Sequence, residues 1–121
     1  MYVKETTMYV KDYREVPAEP GGTKGLTVRW VINASQGATN FAMRVFELEP
    51  GAESPFHKHE NEHEAFVLKG RGEVETDEGT TKIKKGSALF IPSQENHRFR
   101  NTGKKVLRFI DVIPFASIMP Q

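Results

Sequence analysis

The chain carries four histidines and no cysteine. With no thiolate available there is no disulfide, no cysteine nucleophile and no Cys-based zinc or iron–sulfur site, so metal chemistry falls to imidazole and carboxylate groups. Three of the histidines crowd into His57-Lys58-His59-Glu60-Asn61-Glu62-His63, and the fourth, His97, stands apart. On an extended chain His57, His59 and His63 share one face, because successive side chains alternate. A straight strand would hold His57 and His63 about 20 Å apart at ~3.3 Å per residue, too far for one ion whose histidine ligands sit at ~2 Å. A turn is therefore required between His59 and His63, and the polar Glu60-Asn61-Glu62 is suited to it. With His97 arriving from a separate strand, four imidazoles would converge into a complete metal site.

Two other readings use the same residues. His59-Glu60-Asn61-Glu62-His63 fits H-E-x-x-H, which on a helix sets two histidines on one face for zinc, with the glutamate as general base of a metallopeptidase. On that helix His57 would lie roughly 120° or more around from both other histidines and would have no role. The plainest reading leaves the histidines exposed in a solvated, charged stretch.

The elements that must position these groups read as strands. Gly and Pro punctuate the chain at intervals of about ten residues, a spacing expected of an all-β sandwich or barrel. Between them lie β-branched and aromatic segments: 26–32, 41–48, 65–69, 73–76, 81–84, 88–91, 98–101 and 106–113. Asp77-Glu78-Gly79-Thr80 reads as a hairpin turn, and Asn101-Thr102-Gly103 likewise separates two strands. No window shows a sustained 3.6-residue apolar period, and 56–69 is where a helix could hide. Lys82, Lys84, Lys85, Lys104 and Lys105 fall at turn edges, where lysine protects sheet edges.

Length and charge narrow the function. The 121 residues suit one domain, and a formal net charge of +1 gives no basic face for nucleic acid. Apolar runs such as Ala88-Leu89-Phe90-Ile91 are too short to span a membrane, and the N-terminus lacks a signal-peptide run, which makes the cytoplasm the expected location. Met1-Tyr2-Val3-Lys4 recurs as Met8-Tyr9-Val10-Lys11, so residues 1–7 are read as an N-terminal extension, either incidental or a strand pairing with a partner subunit, and 8–121 as the barrel domain.

Between Gly51 and Asn101 the sequence resembles the cupin superfamily. The first cupin motif, G-x5-H-x-H-x3,4-E-x6-G, is matched by Gly51, His57, His59, His63 in place of the glutamate, and Gly70. The second, G-x5-P-x-G-x2-H-x3-N, is matched by Gly86, Pro92, Gln94 in place of glycine, His97 and Asn101. The nearer resemblance is to small single-domain cupins with four histidine ligands, with Glu60-Asn61 replacing a Pro-Trp pair. The resemblance implies a jelly-roll β-barrel, a homodimer, and a divalent ion on His57, His59, His63 and His97. Manganese or iron is favoured, with zinc, nickel or copper as alternatives. Glu62 and Glu64 face away from the ligand side by parity, and Gln94 either changes the turn before His97 or offers its amide to the pocket.

Four neutral imidazoles leave the ion's charge uncompensated and disfavour hard cations such as magnesium and calcium. Such a site favours a small anionic or enolisable substrate. The leading expectation is a metal-dependent oxidoreductase of dioxygenase type. The alternatives are a non-redox lyase or isomerase acting on a sugar acid, and a binding module without turnover. Phe99 and Asn101 share the parity of His97 and are candidate pocket residues, and Leu107, Phe109 and Asp111 share one face of the last strand. Phe99 and Phe109 are implied by the resemblance to line the cavity. Asp111 is a candidate acid/base group or hydrogen-bond partner of a histidine, against an exposed strand-end carboxylate. Arg44 is a candidate carboxylate clamp, against a surface arginine, and Trp30, Met43 and Phe46 are assigned to the core or a subunit interface.

Overall fold

A computed structural model describes residues 8–115. The proposed extension at residues 1–7 lies outside them. Nine strands follow in order: β1 (Glu19–Pro20), β2 (Leu26–Ile32), β3 (Phe41–Leu48), β4 (His63–Lys69), β5 (Arg71–Thr76), β6 (Gly79–Lys84), β7 (Ala88–Ile91), β8 (His97–Asn101) and β9 (Leu107–Pro114). Helical structure among the described residues is limited to single 3-10 turns at Tyr13–Glu15 and Ala34–Gln36 and to Phe115 after the last strand. None is long and apolar enough to cross a membrane.

The strands form two antiparallel sheets, one ordered β1-β2-β3-β9-β4-β7 and the other β6-β5-β8. Burial alternates along β9, with Leu107, Phe109, Asp111 and Ile113 buried and the residues between them partly exposed. On β4, His63, Ala65 and Val67 are buried and Glu64, Phe66 and Leu68 exposed. This period of two is what strands with one face on a core require. Leu26, Leu48, Val67, Leu107 and Phe109 from the larger sheet meet Val74, Ile83 and Phe99 from the smaller one in a single apolar core. The expected jelly-roll barrel is the observed architecture.

One of the alternatives falls away. Residues 57–69 hold no helix: Glu60 and Asn61 form a bend and the chain is extended from His63 onward, so the H-E-x-x-H zinc-helix reading is removed. Asn101-Thr102-Gly103 separates two strands as expected, β8 and β9, which do not pair with each other: β8 pairs with β5 while β9 pairs with β3 and β4. That turn carries the chain from one sheet to the other. The Asp77-Glu78 turn closes a hairpin, with Thr76 opposite Gly79.

Beyond β8 the smaller sheet gains an irregular margin. Gly51 N–H donates to Asn101 O (3.1 Å), Ser54 N–H to Phe99 O (2.8 Å), and His57 and His97 exchange backbone bonds of 3.2 and 2.9 Å. Outside, Arg98 and Arg100 on β8 bind Glu53 of this margin and Glu75 of β5, with distances of 2.9–3.2 Å. Each exposed pair contributes little alone, but together they tie the His57 segment to β8.

Candidate metal centre

The four histidines come from three places in the chain and meet at one end of the barrel. His57 lies on the irregular margin, His59 in the loop after it, His63 at the start of β4 and His97 at the start of β8. Ring centroids are 4.3 Å apart for His57–His59 and for His59–His63, and 5.3 to 5.8 Å for His57–His97, His59–His97 and His63–His97. One nitrogen from each of His57, His59 and His97 lies within 4.8 Å of the others. Ligands held at ~2.1 Å by one ion are separated by up to about 4 Å, so this cluster is compatible with a metal.

The backbone and one carboxylate decide which nitrogen each ring presents. His57 Nδ1 is 2.8 Å from Pro55 O and His97 Nδ1 is 3.1 Å from Glu95 O, and both carbonyls can only accept. His63 Nδ1 is 3.1 Å from Asp111 Oδ1. In each ring the proton is therefore assigned to Nδ1, and Nε2 keeps its lone pair. His57 Nε2 meets His59 Nε2 at 2.7 Å, whereas His63 Nε2 is buried with no partner among the described residues. A buried nitrogen lone pair left without a donor is an uncommon cost, and it is the atom a cation would satisfy. His59 is fixed through its backbone instead: Gln94 N–H donates to His59 O at 2.7 Å, and the Ser93 hydroxyl to Glu60 O.

Burial and neighbouring charge favour the neutral form of His59 and His97. Burial pushes His59 down to about 4, with the neighbouring His63, His57 and His97 adding to the effect. Burial also lowers His97, against the opposing pull of its bond to Glu95. Asp111 is only 4% exposed, which excludes the exposed strand-end reading. Burial alone would raise its pKa, but the His63 hydrogen bond and the Arg44 charge outweigh that and hold it below the usual carboxylate range. Arg44 Nε donates to Asp111 Oδ2 at 2.9 Å and Nη2 donates to the same oxygen. These two residues are opposite one another on β3 and β9.

The cluster opens on a cavity of about 140 Å³ lined by the four histidines, Arg44, Phe46, Phe99, Phe109 and Asp111, with Leu26 and Pro55 at its sides. Arg44 is thus inside and not on the surface. Phe46 also lines the cavity, although the sequence assigned it to core or interface. It shares the parity of Arg44 on β3, and that signal could have found it. Asn101 is buried but does not line the cavity. Its amide donates to Leu48 O (2.9 Å) and Lys105 O (2.8 Å), and its oxygen accepts from Gly103 N–H (2.9 Å), so it holds the turn at the opposite end. Gln94 keeps the glycine-type backbone with φ 67°, and its exposed side chain offers nothing to the pocket.

A family model described as a cupin domain matches residues 44–113. The polyketide cyclase RemF from Streptomyces resistomycificus has a similar structure, with a TM-score of 0.83 and 35% identity over 89% of this chain and 80% of that one. The polyketide synthase CurC of Streptomyces cyaneus is 32% identical over 84% of this chain and 66% of its own length. An oxalate-binding protein of Thermotoga maritima is 38% identical over 68 residues, 55% of this chain and 56% of that protein. The chain therefore spans about two thirds or less of these two curated relatives.

Proposed function

The chain belongs to the cupin family, and from that premise we propose that His57, His59, His63 and His97 hold one divalent transition-metal ion beside a pocket for a small anionic or enolisable molecule, which the protein converts. The observation that carries this reading is the buried, unpartnered Nε2 of His63, whose Nδ1 is committed to Asp111. The all-nitrogen donor set favours manganese, iron, zinc, nickel or copper over magnesium and calcium. When bound, such an ion supplies a Lewis acid for carbonyl, enolate or carboxylate oxygens.

The chain's own residues bind, orient and exclude. Asp111 has Oδ1 on His63 and Oδ2 on Arg44, so its role in this reading is to position a histidine. Phe46, Phe99 and Phe109 give the pocket a dry wall. Its volume is close to the ~150 Å³ of a cavity that takes up benzene, which suits a small acid or one end of a longer molecule. The resemblance to proteins named as a polyketide cyclase and an oxalate-binding protein favours a non-oxidative reaction on a carbonyl compound. The dioxygenase reading stands second, favoured by that apolar wall beside the imidazoles. Phe66, Leu68 and Phe90, exposed on the outside of the larger sheet, support a homodimer, which sedimentation would test.

Metal titration of untagged, metal-stripped protein tests the core of the proposal. One ion per chain is expected, with binding lost in His59→Ala and in His63→Ala. Binding that survives both changes would remove the site. Turnover under air and under argon then separates the two chemistries: equal rates exclude the oxygenase, and strict dependence on dioxygen excludes the Lewis-acid reaction.

A further inference from the structure

Among the described residues Arg44 is the only lysine or arginine lining the cavity, and its guanidinium is used unevenly. Nε and Nη2 both donate to one oxygen, Asp111 Oδ2, while Nη1 has no hydrogen-bond partner among the described residues. The guanidinium carbon lies 5.1 Å from the Trp30 ring centroid and 4.8 Å from that of Phe46. Carboxylate and rings together fix its position before a ligand arrives, which reduces the ordering cost of binding. From Phe46 a row of stacked rings continues toward the histidines: Phe46–Phe109 at 5.2 Å, Phe109–Phe99 at 4.2 Å, and the Phe99 ring edge-on to His97 at 6.3 Å. A free cationic donor and the imidazole cluster are thus joined by one apolar wall.

We propose that Arg44 is the anion-recognising residue of this cavity. Its Nη1 donates to a carboxylate or enolate oxygen of a ligand whose apolar, ring-sized body rests on Phe46, Phe99 and Phe109. An arginine buried only to tie down Asp111 would need just the two donors already in use. The remaining donor belongs to a side chain that lines the cavity, and the one carboxylate among the described lining residues, Asp111, already takes two bonds from this arginine and one from His63. The inference rests on the reading of this cavity as a small-molecule site but not on a bound metal, so the two can fail separately.

Benzoate matches the class, and benzamide is its uncharged isostere. Both are titrated calorimetrically into the wild-type chain, metal-free and with one equivalent of zinc. Benzoate is expected to bind in both states, and Arg44→Gln to weaken it at least tenfold while benzamide changes less than threefold. Arg44→Lys is expected to recover part of the loss, since it restores charge without the fork. Should Arg44→Gln alone fail to fold, Arg44→Gln with Asp111→Asn removes both charges together and carries the same expectation. Benzoate affinity unchanged by these substitutions, or benzoate and benzamide falling equally, would overturn the proposal. Zinc binding without benzoate binding in the wild type would also overturn it while leaving the metal reading intact. Benzoate binding without zinc binding would support it and remove the metal reading.

Discussion

The same four strands build both ends of the barrel, and the two ends treat buried polar groups in opposite ways. Inward-facing residues run from Arg44 through Phe46 to Leu48 on β3, and from His63 through Ala65 to Val67 on β4. On β8 they run from His97 through Phe99 to Asn101, and on β9 from Asp111 through Phe109 to Leu107. At the closed end Leu48, Val67 and Leu107 are fully buried, and the one polar side chain among them, Asn101, has both amide hydrogens and its oxygen bonded. At the open end His63 is also buried but keeps a lone pair that nothing among the described residues satisfies. A buried polar group whose bonds are all made belongs to the fold, whereas one left short beside a cavity points to a ligand. Motif spacing alone gives both residues the same standing.

Asn101→Ala should have the largest effect and should act on stability alone. It deletes three hydrogen bonds at about 1 kcal/mol each, or roughly 3 kcal/mol together, before any further cost of leaving the carbonyls of Leu48 and Lys105 without this donor. A fall in Tm on the order of 10 °C is expected, with the metal stoichiometry of the folded protein unchanged. Loss of metal at unchanged Tm would invert the comparison. Asp111→Asn probes the other end. It replaces the carboxylate that orients His63 and removes the charge that pairs with Arg44, and such changes cost about 10–100-fold in metal affinity. Titration calorimetry checks the affinity. Nitrogen NMR of metal-free protein, reading whether His63 still holds its proton on Nδ1, separates orientation from general damage.

Much of this is legible in the periodicity of the sequence. Strands 26–32 and 41–48 have the limits expected of them, because turn residues flank both. β4 and β8 begin at His63 and His97, earlier than their apolar residues suggest, because backbone pairing with Ile91 and Thr76 extends them through the ligands. The two-residue β1 carries Pro20 and no alternation, so no sequence signal marks it. Parity put His63, Phe99, Phe109 and Asp111 on the inner face, but parity gives the face and not the depth along the barrel. That is why Asn101 was misplaced at the cavity. Arg44 shows the complementary limit, since a charge on a strand reads as surface until the register sets Asp111 opposite it.

The metal-free protein should also respond to acid through its open end. His59 is held down to about 4 when folded, whereas an unfolded histidine titrates near ~6.5. As pH falls the unfolded chain takes up this proton first. The contribution of His59 to stability is complete above about 6.5, declines between about 6.5 and 4, and is absent below. Asp111, held low by His63 and Arg44 against burial, adds its loss only at lower pH, beneath the ordinary carboxylate range. Denaturant midpoints of metal-free protein are thus expected to fall from pH 7 to pH 5, and those of His59→Gln to fall less. A bound ion should steepen the decline, because ligand imidazoles must be neutral. Equal slopes for wild type and His59→Gln would show that the open end is not where acid acts.

The smallest effect concerns Gln94, which stands where the second cupin motif has glycine. It sits at φ 67°, the only described non-glycine residue with positive φ, and its N–H reaches His59 O at 2.7 Å. A left-handed conformation costs a residue with a Cβ about 1 kcal/mol, and glycine avoids that cost but gives back part of the gain through a freer unfolded chain. Gln94→Gly should therefore raise stability by a few tenths to roughly 1 kcal/mol, read as a Tm increase of a few degrees. Metal affinity should stay the same, because the backbone donor to His59 is kept and the Gln94 side chain is exposed. A weaker metal site in Gln94→Gly would mean that rigidity of this turn, and not only its hydrogen bond, holds His59 in place. The open end would then depend on a strained residue in the way the closed end depends on Asn101.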